Sequence, residues 1–204
     1  MRTTLPAAAL LLVAAMPAWA NTSAYSDLDV EKTCVQLDAA GPGEGEWVNF
    51  VCEGFRGFPV FLSTADGRDS VFFGFPPPEG PPWEGFSAFN SAGPKVEWRL
   101  LEQGEPGLPV AAILRFSVSD PEDPDKPNRE VLVVKKVGRP GAHEGCMVGL
   151  VMATGNPRAN ETAREIADSQ AYDFACGADQ PAFVSDDLPM PEWSGASEGG
   201  GGGG

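Results

Sequence analysis

Seven apolar segments of strand length recur between residues 46 and 153, each bounded by turn-forming residues, and this pattern commits most of the chain to β-structure. EWVNFVCE (46–53) places Val48, Phe50 and Cys52 on one face of a strand. FPVFLS (58–63) and DSVFFGF (69–75) follow across TADGR, where Asp66-Gly67 has the composition of a tight hairpin turn. KVEWRLL (95–101), PVAAILRFSV (109–118), EVLVVKKVG (130–138) and CMVGLVMA (146–153) then continue as a meander. In the segment 109–118, Ala112, Leu114, Phe116 and Val118 point one way, and Ala111, Ile113, Arg115 and Ser117 the other. Apolar residues on both sides predict a central strand.

One segment changes period. In GNPRANETAREIADSQ (155–170), Asn156 reads as an N-cap and Pro157 as the first helical residue. Ala159, Ala163, Ile166, Ala167 and Gln170 trace a narrow stripe, and a stripe of alanines lets a helix lie close to a sheet. The opposite face carries Arg158, Glu161, Arg164, Glu165 and Asp168, spaced for ion pairs within the helix worth a few tenths of a kcal/mol each. The expected fold is α+β: an antiparallel meander of about seven strands with one packed C-terminal helix. PPPEGPPWEG (76–85) lacks amide donors and reads as an extended loop outside any sheet.

The four cysteines, Cys34, Cys52, Cys146 and Cys176, acquire meaning from the first twenty residues. Arg2, an apolar run from Leu5 to Met16 and Ala18-Trp19-Ala20 have the form of an export leader with a small-residue cleavage site. An exported, periplasmic or secreted chain meets oxidant, so an even number of cysteines predicts two disulfides. Three pairings are possible. The sequential one, Cys34 with Cys52 and Cys146 with Cys176, asks for the least rearrangement, since the first pair brackets one β region and the second brackets the helix. The expected organisation is a leader over 1–20, one globular domain over 21–180 and a disordered acidic, glycine-rich tail over 181–204. No segment after the leader is long and apolar enough to predict a membrane-spanning helix. A formal charge of −15 argues against nucleic acid and anionic lipid surfaces as partners.

AFNSAGPKVEWRL, PVAAILRF, EVLVVKKVG and NPRANETAREIAD, with a cysteine after the leader and another after the helix, resemble a group of uncharacterised bacterial exported proteins over residues 28–178. That group has no established activity. The resemblance implies export and a single domain, and it carries over no catalytic residue.

Few residues invite chemistry. His143, the one histidine, stands three positions before Cys146 in GAHEGC. A zinc site drawing on His143 and the cysteines lacks a CxxC pair, and a cysteine nucleophile needs a thiolate that a disulfide removes. The expectation is therefore no metal, no cofactor, and a disulfide at Cys146 with His143 on an exposed glycine-flanked loop. GPGEGEW (41–47) is glycine-rich but acidic, and reads as a loop. DPEDPD (120–125) lacks the calcium-loop order and reads as a solvated hairpin loop, while Asp27, Asp29 and Glu31 read as the wet face of an edge strand. Glu97 is the one carboxylate that stands out as a catalytic suspect, beside Trp98 and on the same face as Arg99, though a structural pairing with Arg99 or Arg115 is the expected role. Trp83, Phe86 and Phe89 fall within seven residues of an irregular stretch, where rings either close the core or anchor a ligand. The leading expectation is a non-enzymatic exported domain that binds a protein, peptide or glycan of the cell envelope through this loop. The alternative is a hydrolase of envelope glycan acting through carboxylates.

Overall fold

The structure, a computed structural model, describes residues 22–195 apart from Gln103, Pro121, Glu122 and Pro124. The expected leader and the last nine residues lie outside the described residues. In chain order the elements are β1 (Thr22–Asp27), α1 (Val30–Thr33), β2 (Cys34–Ala39), β3 (Trp47–Phe55), β4 (Phe58–Ala65), β5 (Arg68–Phe73) and β6 (Gly85–Phe86). They continue as β7 (Asn90–Leu100), β8 (Pro109–Val118), β9 (Arg129–Lys136), β10 (Met147–Met152), α2 (Ala159–Gln170), β11 (Ala182–Val184) and β12 (Trp193–Ser194).

All seven expected strands are present as β3, β4, β5, β7, β8, β9 and β10, but they do not form one meander. The strands fall into a six-stranded sheet ordered β1-β7-β8-β9-β10-β11, a four-stranded sheet ordered β2-β3-β4-β5, and a two-stranded ribbon of β12 and β6. The reason for the split is that both sheets carry an apolar face that must be buried. Val60, Leu62, Val71 and Phe73 from the smaller sheet share one core with Val96, Trp98, Leu114, Phe116, Val131, Val133 and Leu150 from the larger. Trp98, fully buried, takes the edge of Phe73 at 5.5 Å between ring centroids. A single continuous sheet would leave half of these residues without a second layer.

The N-terminal acidic run illustrates the same division. Of its three acids, Asp27 alone lies on the edge strand β1; Asp29 instead caps the short helix α1, accepting from the Glu31 amide at 3.1 Å, and Glu31 lies within that helix. Through α1 the chain steps from the large sheet to the small one, and Leu28 is buried at the corner. The Asp66-Gly67 hairpin forms as expected, with both residues at positive φ and Ala65 paired to Arg68.

The other face of the large sheet is covered by α2. Ala159, Ala163, Ile166 and Ala167 are buried against Ala111, Ile113, Leu132, Val134, Val148 and Val151. Gly149 permits the approach, since a Cβ there would lie 2.9 Å from Ile166 Cγ2. The helix begins two residues later than the sequence suggests. Asn156 caps the preceding turn, its Oδ1 accepting from the Arg158 amide at 2.9 Å, and Pro157 lies outside the helix.

Disulfides join Cys34 to Cys52 and Cys146 to Cys176. The first links directly opposed residues of β2 and β3, and the second ties the start of β10 to the chain leaving α2. The described part of the segment expected as a tail, residues 181–195, runs along the sheets. Ala182–Val184 add to the edge of the large sheet as β11, parallel to β10. Leu188, Met190 and Trp193 then pack on the main core, and Trp193 meets Phe86 at 4.9 Å between centroids. Apolar residues at irregular spacing supply the anchorage here, and they show no period to read.

Candidate functional site

α2 covers only part of the large sheet. It packs over β8, β9 and β10 and reaches its N-terminal turn at Asn160, leaving the adjacent stretch of β7, β8 and β9 uncovered. A groove of about 470 Å³ occupies that stretch, within the ~300–1,000 Å³ range of small-ligand sites. Its floor contains Ile113 and Leu132, and its polar lining includes Ser91, Arg115, Ser117 and Glu130.

Strand alternation explains the lining. Arg115 and Ser117 share the α2-side face of β8 with Ala111 and Ile113, but they lie beyond the helix end and therefore remain accessible. β7 contributes a bulge: Ala92 pairs with Phe116 and Val96 with Leu114, so Gly93, Pro94 and Lys95 face Arg115 alone. Bulges re-aim the chain and often border functional surfaces. Gly93 sits where a Cβ would come within 2.8 Å of the Arg115 carbonyl oxygen, which is why this wall can lie so close to β8.

The charged groups of the groove are mostly paired. Arg115 and Glu130 approach to 3.8 Å with both side chains about 40% exposed, and Arg115 Nη2 donates to Asn160 Oδ1 at 3.3 Å. Lys95 is paired with Asp27 across the β1–β7 edge. Glu97 is the most constrained. Arg164 donates from Nε to Oε1 at 2.6 Å and from Nη2 to Oε2 at 3.1 Å, and Ser23 Oγ donates to Oε1 at 2.5 Å. Burial pushes the Glu97 carboxyl upward, but the hydrogen bonds from Arg164 and Ser23, with the charges of Arg164 and Arg99, outweigh it and hold the group below the usual glutamate range. The same pairing raises Arg164. A general acid for glycoside cleavage needs the opposite shift. With both oxygens occupied by Arg164 and Ser23, Glu97 ties α2 to the sheet, and its main partner is Arg164 from α2, with Arg99 3.6 Å away. The helical acid and base that sequence spacing would pair with each other reach for the sheet instead, since Asp168 receives two hydrogen bonds from Arg99.

The three aromatic candidates separate. Phe86 is buried in the core between Phe116 and Trp193 and offers no surface to a ligand. Trp83 and Phe89 are both exposed, at 38% and 68%. Phe89 borders a second hollow with Ser119, one alternation beyond the Ser91–Ser117 pair that lines the main groove. Asn90 holds this end of the loop by donating to the Ala88 carbonyl oxygen at 2.9 Å, and Asp69 accepts from the Ala92 amide at 2.9 Å. Tyr25, 54% exposed on β1, lines the main groove from the opposite end.

His143 and Cys146 do not converge on a reaction centre. Cys146 is bonded to Cys176, and His143 is partly buried with Nδ1 2.8 Å from the Pro76 carbonyl oxygen. The histidine thus fastens its loop to the proline-rich segment, and the expectation of a free exposed loop is corrected. Among the described residues no group of three or more His, Cys, Asp or Glu side chains is placed to hold a metal. In the 120–125 loop, Asp120 is buried and accepts from Arg129 at 2.8 Å, with Lys126 3.7 Å away.

Sequence reasoning passed over one site altogether. Lys135 on β9 is buried with Glu84 from the proline-rich loop, Nζ to Oε2 at 2.8 Å, and also donates to the Val71 carbonyl oxygen at 2.7 Å. Glu84 in turn accepts from the Met147 amide at 3.1 Å. The available signal was Lys135-Lys136 inside an otherwise apolar strand. Lys136 is likewise occupied, donating to Glu144 at 2.9 Å and to the Phe174 carbonyl oxygen at 2.5 Å. These contacts lock the second disulfide region and the proline-rich loop onto the sheet.

Comparison with protein-family models, with curated proteins and with solved structures finds no match to this chain.

Proposed function

We propose that this protein is an exported, non-enzymatic binding domain whose site is the uncovered groove on the helix side of the large sheet, extended by Phe89 at the end of the proline-rich loop. The observation that carries the reading is a sheet face left open by α2 and walled by the exposed ring of Tyr25, with a second exposed ring, Phe89, bordering a separate hollow with Arg68 and Ser119. Exposed aromatic side chains beside a shallow polar surface are characteristic of recognition sites. Export is supported by the form of the first twenty residues and by two disulfides, which persist in oxidising compartments. The resemblance to bacterial exported proteins implies export as well, and we take the ligand to be a protein, peptide or glycan of the cell envelope.

The hydrolase reading draws on Glu97 and Glu130 both lining the groove. The depressed Glu97 carboxyl speaks against its serving as the general acid, and the hydrogen bonds from Arg164 and Ser23 occupy both of the oxygens that a nucleophile or base would need. Incubation with purified peptidoglycan separates the two. A binding domain is retained on the sacculi and releases no soluble fragment, and Phe89→Ala or Tyr25→Ala weakens retention. Release of reducing sugar that Glu130→Gln abolishes would establish the hydrolase instead, and retention indifferent to both ring substitutions would remove the groove from consideration.

A further inference from the structure

Building on that reading, we infer that the groove takes a neutral, hydroxyl-rich chain, an oligosaccharide, in preference to an extended peptide. Its floor is the face of a sheet whose backbone is committed: β7 pairs with β8 and β8 with β9 along the groove. A peptide laid on a sheet face finds no backbone partners there, and any of its own amides and carbonyls shut away from water would be left unsatisfied. A saccharide has a different requirement. Its hydroxyls each donate and accept, and they are met by side chains of the kind this groove supplies in Ser91, Ser117, Arg115 and Glu130. Its C–H faces need flat or aliphatic surface, which Tyr25 and the Ile113–Leu132 floor provide.

Charge narrows the class further. Arg115 faces Glu130, Lys95 faces Asp27 and Glu97 is saturated by Arg164, so these walls present balanced pairs. A chain of net charge −15 repels polyanions at longer range. Acidic polysaccharides and nucleic acids are thereby disfavoured, and neutral glycan fits.

The test uses the mature full-length chain, with chitohexaose, cellohexaose and xylohexaose as neutral probes, polygalacturonate as the anionic comparator, and a phage-displayed peptide library. Binding is read by calorimetry and by amide chemical-shift changes. Ser117→Trp fills the groove; Tyr25→Ala removes a wall without filling it and serves if the larger residue disturbs folding; Leu37→Ser, on the exposed surface of the other sheet, is the control. The expected result is binding of a neutral hexasaccharide with shifts along β7 and β8, weakened at least tenfold by Ser117→Trp and by Tyr25→Ala and unaffected by Leu37→Ser. Peptides that bind in the groove and are blocked by Ser117→Trp, with no neutral glycan bound, would overturn the glycan assignment while leaving the binding site intact. Preference for polygalacturonate would likewise overturn it. If neither glycans nor peptides engage the groove, both this inference and the binding function fail.

Discussion

Arg164 on α2 grips Glu97 on β7 through two hydrogen bonds, Nε to Oε1 at 2.6 Å and Nη2 to Oε2 at 3.1 Å, and thereby fastens the helix to the sheet beside the open groove. Arg99 and Asp168 make the reciprocal contact, with sheet base to helix acid at 2.8 and 2.6 Å. Two oppositely oriented ion pairs define both the position and the rotation of the helix, which an alanine stripe alone leaves loosely determined.

Arg164→Ala leaves the buried Glu97 carboxylate with only Ser23 and Arg99 to compensate. Because the Arg164 side chain is about 40% exposed, the expected loss is discounted to about 1–2 kcal/mol, below that of a fully buried pair. Chemical denaturation monitored by circular dichroism measures it. The pH dependence follows from the depressed Glu97 carboxyl: its contribution is complete above the ordinary glutamate value of 4.5 and is lost as the pH falls through the lower folded-state value. The wild-type protein should therefore lose more stability than Glu97→Gln as the pH falls from 4.5 down through the folded-state value, and parallel acid titrations of the two would refute the assignment.

Lys135→Met removes the buried partner of Glu84 and leaves a carboxylate with 1% exposure inside the protein. The expected cost is about 3–5 kcal/mol at neutral pH. The double substitution Glu84→Gln with Lys135→Met should recover part of this, because neither remaining group is charged. Urea unfolding of Lys135→Met, Glu84→Gln and the double variant measures the coupling in a double-mutant cycle.

Replacing both Cys146 and Cys176 with serine opens a loop of sequence separation 30, and replacing Cys34 and Cys52 opens one of 18. Each should cost about 3–4 kcal/mol in the chain-entropy description. Non-reducing peptide mapping of the native protein should recover these two pairs, with no free thiol. A titratable thiol on the native molecule would reopen a nucleophilic role for Cys146.

Trp193→Ala strips the indole that closes over Phe86 and the Glu84–Lys135 pair. Since Trp193 is only partly buried, the expected destabilisation is about 2–3 kcal/mol, less than for a fully buried tryptophan. Truncation after Val184 should destabilise further, because Leu188 and Met190 leave the core as well. If thermal melting shows no change, the terminal segment makes no contribution to the fold.

Much of the architecture was legible residue by residue. The alternation in PVAAILRFSV assigned Ala112, Leu114, Phe116 and Val118 to one side and Ala111 and Ile113 to the other, and each set lies in a different core. The alanine stripe of α2 and the Asp66-Gly67 turn depend on neighbours a few residues away, so local pattern suffices for them. Glu97 was visible as a charge within an apolar strand, but its partner Arg164 is 67 residues distant and could not be read from spacing. Phe86 and Phe89 looked alike in the sequence. Only the pairing of Phe86 with Trp193 in a two-stranded ribbon sends one ring inward and leaves the other in solvent.

The sequence by itself determined which residues share a strand face, where the helix lies and which cysteines stand close enough in the chain to be joined simply, because these follow from periods of two and 3.6 residues and from local turn chemistry. What each face meets was decided by tertiary structure. The partition into two sheets, the short reach of α2, the groove beside it and the buried Glu84–Lys135 contact all arise from packing between segments far apart in sequence, where burial of both apolar faces selects the arrangement and no local period records it.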